Sequence, residues 1–364
     1  MEITYGNPHR QYLSIKKEID TAIQDCIKRS SFIGGYWHDR FEAELGEYTN
    51  QSSAVVGSGT AAQQLSLLAC GIRPGDEVIV PSMTFFSTAE TVNQVGATPV
   101  FCDISMNDYC IDINEIRRLI TQNTRAIMPV DLYGQQCDYY ALRKLCDDFD
   151  LKLIQDSAQS FGSLYHNKGV GTVADLAIHS FYPGKNLDCM GDGGGVSGNS
   201  QYIDRIRELR NHCREPGTKY VHNDIGWNHR CDGLQAAILS VKLKYIDTWN
   251  QQRRQNAEYY NHRFADTDLV LPQVQDYNTH VYNQYAILHP DRTNLKKHLE
   301  EKNIYTGIQF PRGCHQQPAY GDIVNNSLFN TEVVASNVLS LPVWPGMTDV
   351  ELCYVADSVL EYLD

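Results

Sequence analysis

The sequence predicts an α/β chain in which a large domain built on a mostly parallel, mixed sheet is followed by a smaller α+β domain. Three observations predict it. The 364 residues exceed one ordinary core. Their 42% hydrophobic and 21% charged content is that of a globular protein. Between about Ser53 and Asp156, β-like runs alternate with helix-like ones, the pattern of parallel strands joined by crossover helices.

The elements follow in order. SAVV is the first strand-like run, before an amphipathic stretch; DEVIV precedes FFSTAETVNQVG; TPVFCDI precedes INEIRRLI; RAIMPV precedes DYYALRKLCDDFD; LKLIQD closes the series. In DYYALRKLCDDFD, Leu142, Leu145, Cys146 and Phe149 fall at i, i+3, i+4 and i+7, so one helical face is apolar. A helical pattern then runs from about Asp232 towards Phe264, with Leu234, Ile238, Val241, Tyr245 and Trp249 along one side. Its polar far half, QQRRQNAEYYNHR, reads as a connector, which divides the chain into residues 1–245 and 246–364. Beyond it, strand-like VYNQYAIL and IYTGIQF, helix-like RTNLKKHLEEKN and a last helix over Leu352, Val355, Val359 and Leu363 make the small domain.

A net charge of -13 with no Lys/Arg block argues against a nucleic-acid partner. No stretch approaches the ~18 consecutive apolar residues of a membrane span, and the first residues lack a signal-peptide core. Eleven cysteines without CxxC spacing read as buried thiols of a reducing compartment, and the twelve histidines include no HExxH, so no metal is expected. The expectation is a soluble, cytoplasmic protein.

Ligands on parallel sheets bind outside the carboxyl ends of the strands. Those places hold GSGT (57–60), PSMTF (81–85), Asp103, Asp131, Asp156 and SFYPGKNLDCMGDGGG (180–195). Gly193, Gly195 and Gly198 match GxGxxG, but the next helix begins only after Gly198, which disfavours a dinucleotide site. Lys185 stands between apolar Phe181 and Tyr182, rigid Pro183 and the glycines, which could let backbone approach a ligand closely. Desolvation there would free a neutral amine to condense with an aldehyde, and pyridoxal phosphate is the usual partner. That cofactor needs a carboxylate at its pyridine nitrogen, backbone donors at its phosphate and an apolar ring face. Asp156, Asp103 and Asp131 compete for the first role; the helix start at Gly59 and Thr60 suits the second, and Phe85 the third.

Together, VGSGTAA, PSMTFFSTAET, DLYGQ, QDSAQSFGS, HSFYPGKNL with GDGGG, and IGWNHRCDGLQAAIL resemble, in order and separation, the pyridoxal-phosphate-dependent nucleotide-sugar aminotransferases of the DegT/DnrJ/StrS type. The resemblance covers nearly the whole chain and implies the type I aminotransferase fold and a homodimer. It gives Lys185 the cofactor aldehyde, Asp156 the pyridine nitrogen, Gln159 the ring hydroxyl, Phe85 the ring face, and Gly59, Thr60 and Ser180 the phosphate. In GWNHR, Asn228 would reach the phosphate of the neighbouring subunit, and Arg230 the sugar nucleotide. L-glutamate is the implied amino donor.

The wording FYPGKNL resembles members that aminate C3 of dTDP-3-keto-6-deoxyhexoses; a UDP-3-keto-uronic acid sugar, a 4-keto sugar or a non-catalytic binding role are the alternatives. Asp188 and Cys189 depart from the small residues common in relatives, and Gln309 and Phe310 from histidine and tyrosine. Tyr182, Arg230, Gln309, His315 and Tyr320 are the candidate sugar contacts.

Overall fold

The computed structural model describes residues 1–321 and 327–364. Three helices open the chain: α1 (Pro8–Ser14), α2 (Lys16–Arg29) and α3 (Tyr36–Thr49). The predicted alternation follows as β1 (Ser52–Val56), α4 (Gly59–Ala69), β2 (Glu77–Pro81), α5 (Ser87–Gln94), β3 (Thr98–Cys102), α6 (Ile113–Leu119), β4 (Thr124–Ile127), α7 (Tyr139–Phe149) and β5 (Lys152–Asp156). Two short strands, β6 (Leu164–Tyr165) and β7 (Lys168–Gly169), lead to β8 (Leu176–Ser180), β9 (Gly194–Gly198) and α8 (Ser200–Leu209).

Seven strands form one sheet in the order β1-β9-β8-β5-β4-β2-β3. Every pairing from β8 to β3 is parallel, whereas β9 runs antiparallel to both β1 and β8. The glycine cluster is therefore a strand, not a ligand-binding turn. Its glycines serve a close approach within the protein: a Cβ on Gly194 would stand 2.3 Å from the Ser58 carbonyl oxygen, where α4 begins. The strand thus brings the start of α4 against the end of β8.

Apolar faces of α4, α5 and α8 cover one side of the sheet with Ala54, Val56, Val78, Val80 and Ile178. Ile79, Ile127 and Leu153 meet α6 and α7 on the other.

The helical pattern from Asp232 is two helices, α9 (Gly233–Lys242) and α10 (Ile246–Arg263), joined by a 3-10 turn at Leu243–Tyr245. The polar half of α10, expected as a connector, carries buried polar side chains. Asn250, Arg253 and Asn256 are buried, and the two amides donate to the Phe161 carbonyl at 3.1 Å and the Trp344 carbonyl at 3.0 Å. Polar side chains here terminate loops that pack against the helix.

The last part holds β10 (Asn278–Thr279), β11 (Tyr285–Leu288), α11 (Arg292–Glu301), α12 (Phe329–Asn337), β12 (Val338–Leu341) and α13 (Asp349–Leu363), with β11 and β12 antiparallel. IYTGIQF, expected as a strand, makes only single bridges, Ile304 to Ile3 and Gly307 to Ser340, because its two ends touch different chain segments. Ile3 packs into one cluster with Ala257, Tyr260, Tyr285, Leu339 and Val355, so the first residues join the C-terminal core. The chain start thereby passes beside the cleft.

Candidate active site around Lys185

Asp156 closes β5 and Ser180 closes the parallel neighbour β8, so both sit at the same end of the sheet. The chain leaves β8 through Phe181 and Tyr182 and turns at Gly184, whose φ of 103° lies in the left-handed region glycine tolerates. The Lys185 amide donates to the Tyr182 carbonyl at 3.0 Å, closing the turn. Part of the Lys185 side chain opens to a cleft, yet it is packed closely enough that burial lowers its ammonium from the ordinary 10.5 to about 8, against the opposing pull of the Asp156 carboxylate.

Asp156 is buried. Burial pushes its carboxyl up, while the Ala158 amide at 3.1 Å, Gln63 Nε2 at 2.7 Å, the Lys185 charge and the Thr88 hydroxyl at 3.4 Å hold it down. Gln63 and Thr88 come from α4 and α5, and sequence reasoning missed both. Their signal was a polar residue inside an otherwise apolar helical run, GTAAQQLSLLA for Gln63.

The three strand-end aspartates are now distinct. Asp131 takes the Cys137 amide and the Tyr139, Ser160 and Gln155 side chains as donors. Asp103 takes the amides of Ile104, Asn330 and Thr331 and the Thr331 hydroxyl. Both are consumed in tying loops together. Asp156 alone of the three faces the charge of Lys185.

At the start of α4, the Ser58 hydroxyl accepts from the Ala61 amide at 3.0 Å. The Gly59 and Thr60 amides have no acceptor among the described residues, at the positive end of an eleven-residue helix. A Cβ on Gly59 would meet the Ser180 Cβ at 2.8 Å, so glycine keeps this cradle open beside Ser180. Phe85 exposes 57% of its surface, with its ring 6.1 Å from that of Phe310. Gln159 accepts the Tyr133 amide at 2.9 Å, which leaves its Nε2 donors without a partner among the described residues.

The remaining candidates lie apart from this group in different degrees. Asn228 is exposed and Arg230 pairs with Asn211 at 3.0 Å; their segment runs along Val56 and Gly57, near the start of α4. Tyr182 is exposed. Gln309 accepts from the Tyr5 hydroxyl at 2.9 Å, and its carbonyl from Tyr133. His315 is held between the Ser82 hydroxyl at 2.6 Å and Glu332 at 3.2 Å, and Tyr320 donates to Asn93 at 2.7 Å within the core over α5. Neither His315 nor Tyr320 lines the cavity that Lys185 borders.

Asp188 forms a buried ion pair with Lys242 at 2.5 Å and accepts the Gly184 amide at 3.2 Å, so it braces the turn that carries Lys185. Asp188→Ala would strand the Lys242 ammonium inside the protein and is expected to destabilise it by about 3–5 kcal/mol. A thermal midpoint equal to the parent's would contradict that. Cys189 is also buried, its thiol donating to the Phe181 carbonyl at 3.1 Å.

Lys185 also borders a cavity of about 80 Å³ lined by Tyr5, Gly184, Asp188, Arg253 and Asn283. A larger groove of about 890 Å³, between Tyr48 and Thr279, contains none of the residues named above for the cofactor.

A buried carboxylate beside a lysine of lowered basicity, near the open amides that start α4, meets two of the needs of pyridoxal phosphate, and comparison with known proteins decides the family. The DegT/DnrJ/EryC1/StrS aminotransferase family matches residues 13–360. The chain belongs to that family.

Among curated relatives, the dTDP-3-amino-3,4,6-trideoxy-alpha-D-glucose transaminase of Streptomyces venezuelae is 36% identical, covering 97% of this chain and 94% of its own. A protein of Geobacillus stearothermophilus named "Pleiotropic regulatory protein" is also 36% identical, covering 97% and 96%. The crystal structure of S. venezuelae DesV in complex with a ketimine intermediate superposes with a TM-score of 0.97 at 35% identity, covering 100% of this chain and 99% of that one. The fold expected from the sequence is therefore the observed one. Family members are pyridoxal-phosphate-dependent, and a solved relative holds the cofactor's amine form.

In this aminotransferase the neutral fraction of Lys185 grows as pH rises through about 8. Capture of pyridoxal phosphate by the apoenzyme, followed by absorbance, is expected to accelerate about tenfold per pH unit below that point and to level off above it. A rate still climbing towards pH 10 would mean an unshifted lysine.

Proposed function

We propose that this aminotransferase moves an amino group from L-glutamate to a nucleotide-linked keto-sugar, at C3 of a dTDP-3-keto-6-deoxyhexose. The observation that carries the reading is the approach of Lys185 and Asp156 at the sheet end, beside α4, which sends Gln63 to Asp156 and starts at Gly59 against Ser180. The sugar is inferred from the FYPGKNL wording and from the activities that relatives are named for, which also include UDP-linked 3-amino sugars and a GDP-linked sugar.

Pyridoxal phosphate, when bound, supplies an aldehyde and an electron-withdrawing ring. Lys185 would hold the aldehyde carbon at rest and, once displaced by the donor, carry a proton from the donor's α-carbon to C4′ of the cofactor. With the keto-sugar it would run that transfer in reverse. Asp156 would keep the pyridine nitrogen protonated, the Gly59 and Thr60 amides and Ser180 would hold the phosphate, Phe85 would cover the ring, and Gln159 would donate to the ring hydroxyl. The products are 2-oxoglutarate and an amino sugar.

The reading includes a homodimer. Phe32, Ile33, Tyr36, Tyr220, Val221 and Ile225 are exposed, an apolar set that pairing would cover. Asn228, free in one protomer, would then reach the neighbour's phosphate. The eleven cysteines are unpaired and no helix among the described residues is long and apolar enough to cross a membrane, which supports a cytoplasmic, reducing setting.

The test is glutamate-dependent amination of dTDP- and UDP-linked 3-keto and 4-keto sugars, with mass measured by light scattering. Fastest turnover on the dTDP-3-keto sugar is expected. Preference for a UDP-linked or 4-keto sugar would move the assignment, and no turnover on any would favour a binding role.

A further inference from the structure

Arg253 is a buried cation with no carboxylate within ion-pair distance among the described residues, unlike buried Arg210 and Lys242. It projects from α10 into the cavity that Lys185 borders. Among the described residues its only hydrogen bond is from Nη1 to the Tyr282 carbonyl at 3.3 Å, and its Nε is buried without a partner there. Burial lowers its basicity to about 10, with Asp188 and Tyr5 pulling the other way. Asp188 does not answer that charge directly, since one oxygen is bound to Lys242 and the other to the Gly184 amide.

The wall therefore holds more positive than negative charge: Lys185 and Arg253 against Asp188, whose own charge is already paired with Lys242. Asn283 spends its donors on Gly184 and Asn186, and Tyr5 its hydroxyl on Gln309. Gln284, on the same wall, has a buried Oε1 with no partner; turned over, its amide would offer a donor instead. A guanidinium so poorly satisfied is costly unless an anion completes it. The volume of about 80 Å³ has room for a few waters or one small group, not a nucleotide-sugar.

We propose that Arg253, with the amide of Gln284, receives the α-carboxylate of the amino donor. The inference rests on the transamination reading above. Lys185 must act on the donor's α-carbon, and the carboxylate one bond away falls within the cavity that Lys185 and Arg253 share. A planar guanidinium with Nε open meets a carboxylate edge-on. The subsite would thus orient the α-hydrogen towards Lys185, and by its size admit the donor's head while excluding the sugar.

The experiment uses the holoenzyme and two ligands that differ only in that group: α-methyl-L-glutamate, which has no α-hydrogen to transfer, and 4-aminopentanoate, which lacks the α-carboxylate. Calorimetry should show the first bound at least about tenfold more tightly. Arg253→Gln should bring the ratio within about twofold and leave the affinities for 4-aminopentanoate and for the cofactor unchanged. A ratio that survives the substitution overturns the subsite. Should Arg253→Gln not fold, a crystal structure of the parent with α-methyl-L-glutamate decides: the carboxylate within about 3.2 Å of Arg253 supports the proposal, and its placement elsewhere ends it. Parent enzyme that never converts to the amine form with L-glutamate would remove the donor reading and the subsite together. Conversion with an unaffected variant would remove the subsite alone.

Discussion

Lys185→Ala is expected to slow amino transfer at least about ten-thousandfold while pyridoxal phosphate still binds, now without a covalent tie. The size follows from two losses in one residue. Lys185 is the amine whose charge acts on Asp156, and alanine supplies neither an amine nor a base to move the proton. Borohydride reduction of the parent should fix the cofactor to the peptide carrying Lys185, and the variant should release it on denaturation. Label on another peptide, or turnover within a hundredfold of the parent, would contradict the assignment.

The same substitution should not cost stability at neutral pH. A lysine whose folded pKa is lowered from 10.5 to about 8 burdens the folded state wherever both forms are protonated, and is relieved as pH rises through that window. The parent should accordingly gain stability between about pH 8 and 10.5, and Lys185→Ala should lack that gain.

Asp156→Asn is expected to lower turnover by about a hundredfold to a thousandfold with little change in fold. An amide fits the space and can keep one of the bonds from Gln63 and Ala158. It cannot stabilise positive charge on the pyridine nitrogen, so electron withdrawal weakens. The Asp156 carboxylate also raises the basicity of Lys185. Its removal should shift the pH profile of cofactor capture below that of the parent, a second readout that a merely structural role would leave in place. Parent-like turnover together with a parent-like profile would refute the assignment.

Much of the large sheet was legible because its strands are short apolar runs separated by amphipathic helices, and burial on both faces demands that pattern. β9 was hidden because Gly194, Gly195 and Gly198 carry no apolar signal; the strand exists by pairing and close approach. β12, Val338–Leu341, was hidden for the opposite reason, being buried throughout with no alternation to read. IYTGIQF has the residues of a strand, but no single partner lies along it.

By itself the sequence determined the α/β class and the alternation of short strands with helices, and it singled out the lysine and strand-end residues proposed for the chemistry, because periodicity and local chemistry are written residue by residue. Only the tertiary structure decided that Asp156 rather than Asp103 or Asp131 faces Lys185, that Asp188 is neutralised by Lys242 across 54 positions, and that Arg253 borders the lysine's cavity. Those facts depend on desolvation and on distances between residues far apart in the chain. Neither quantity exists until the chain packs.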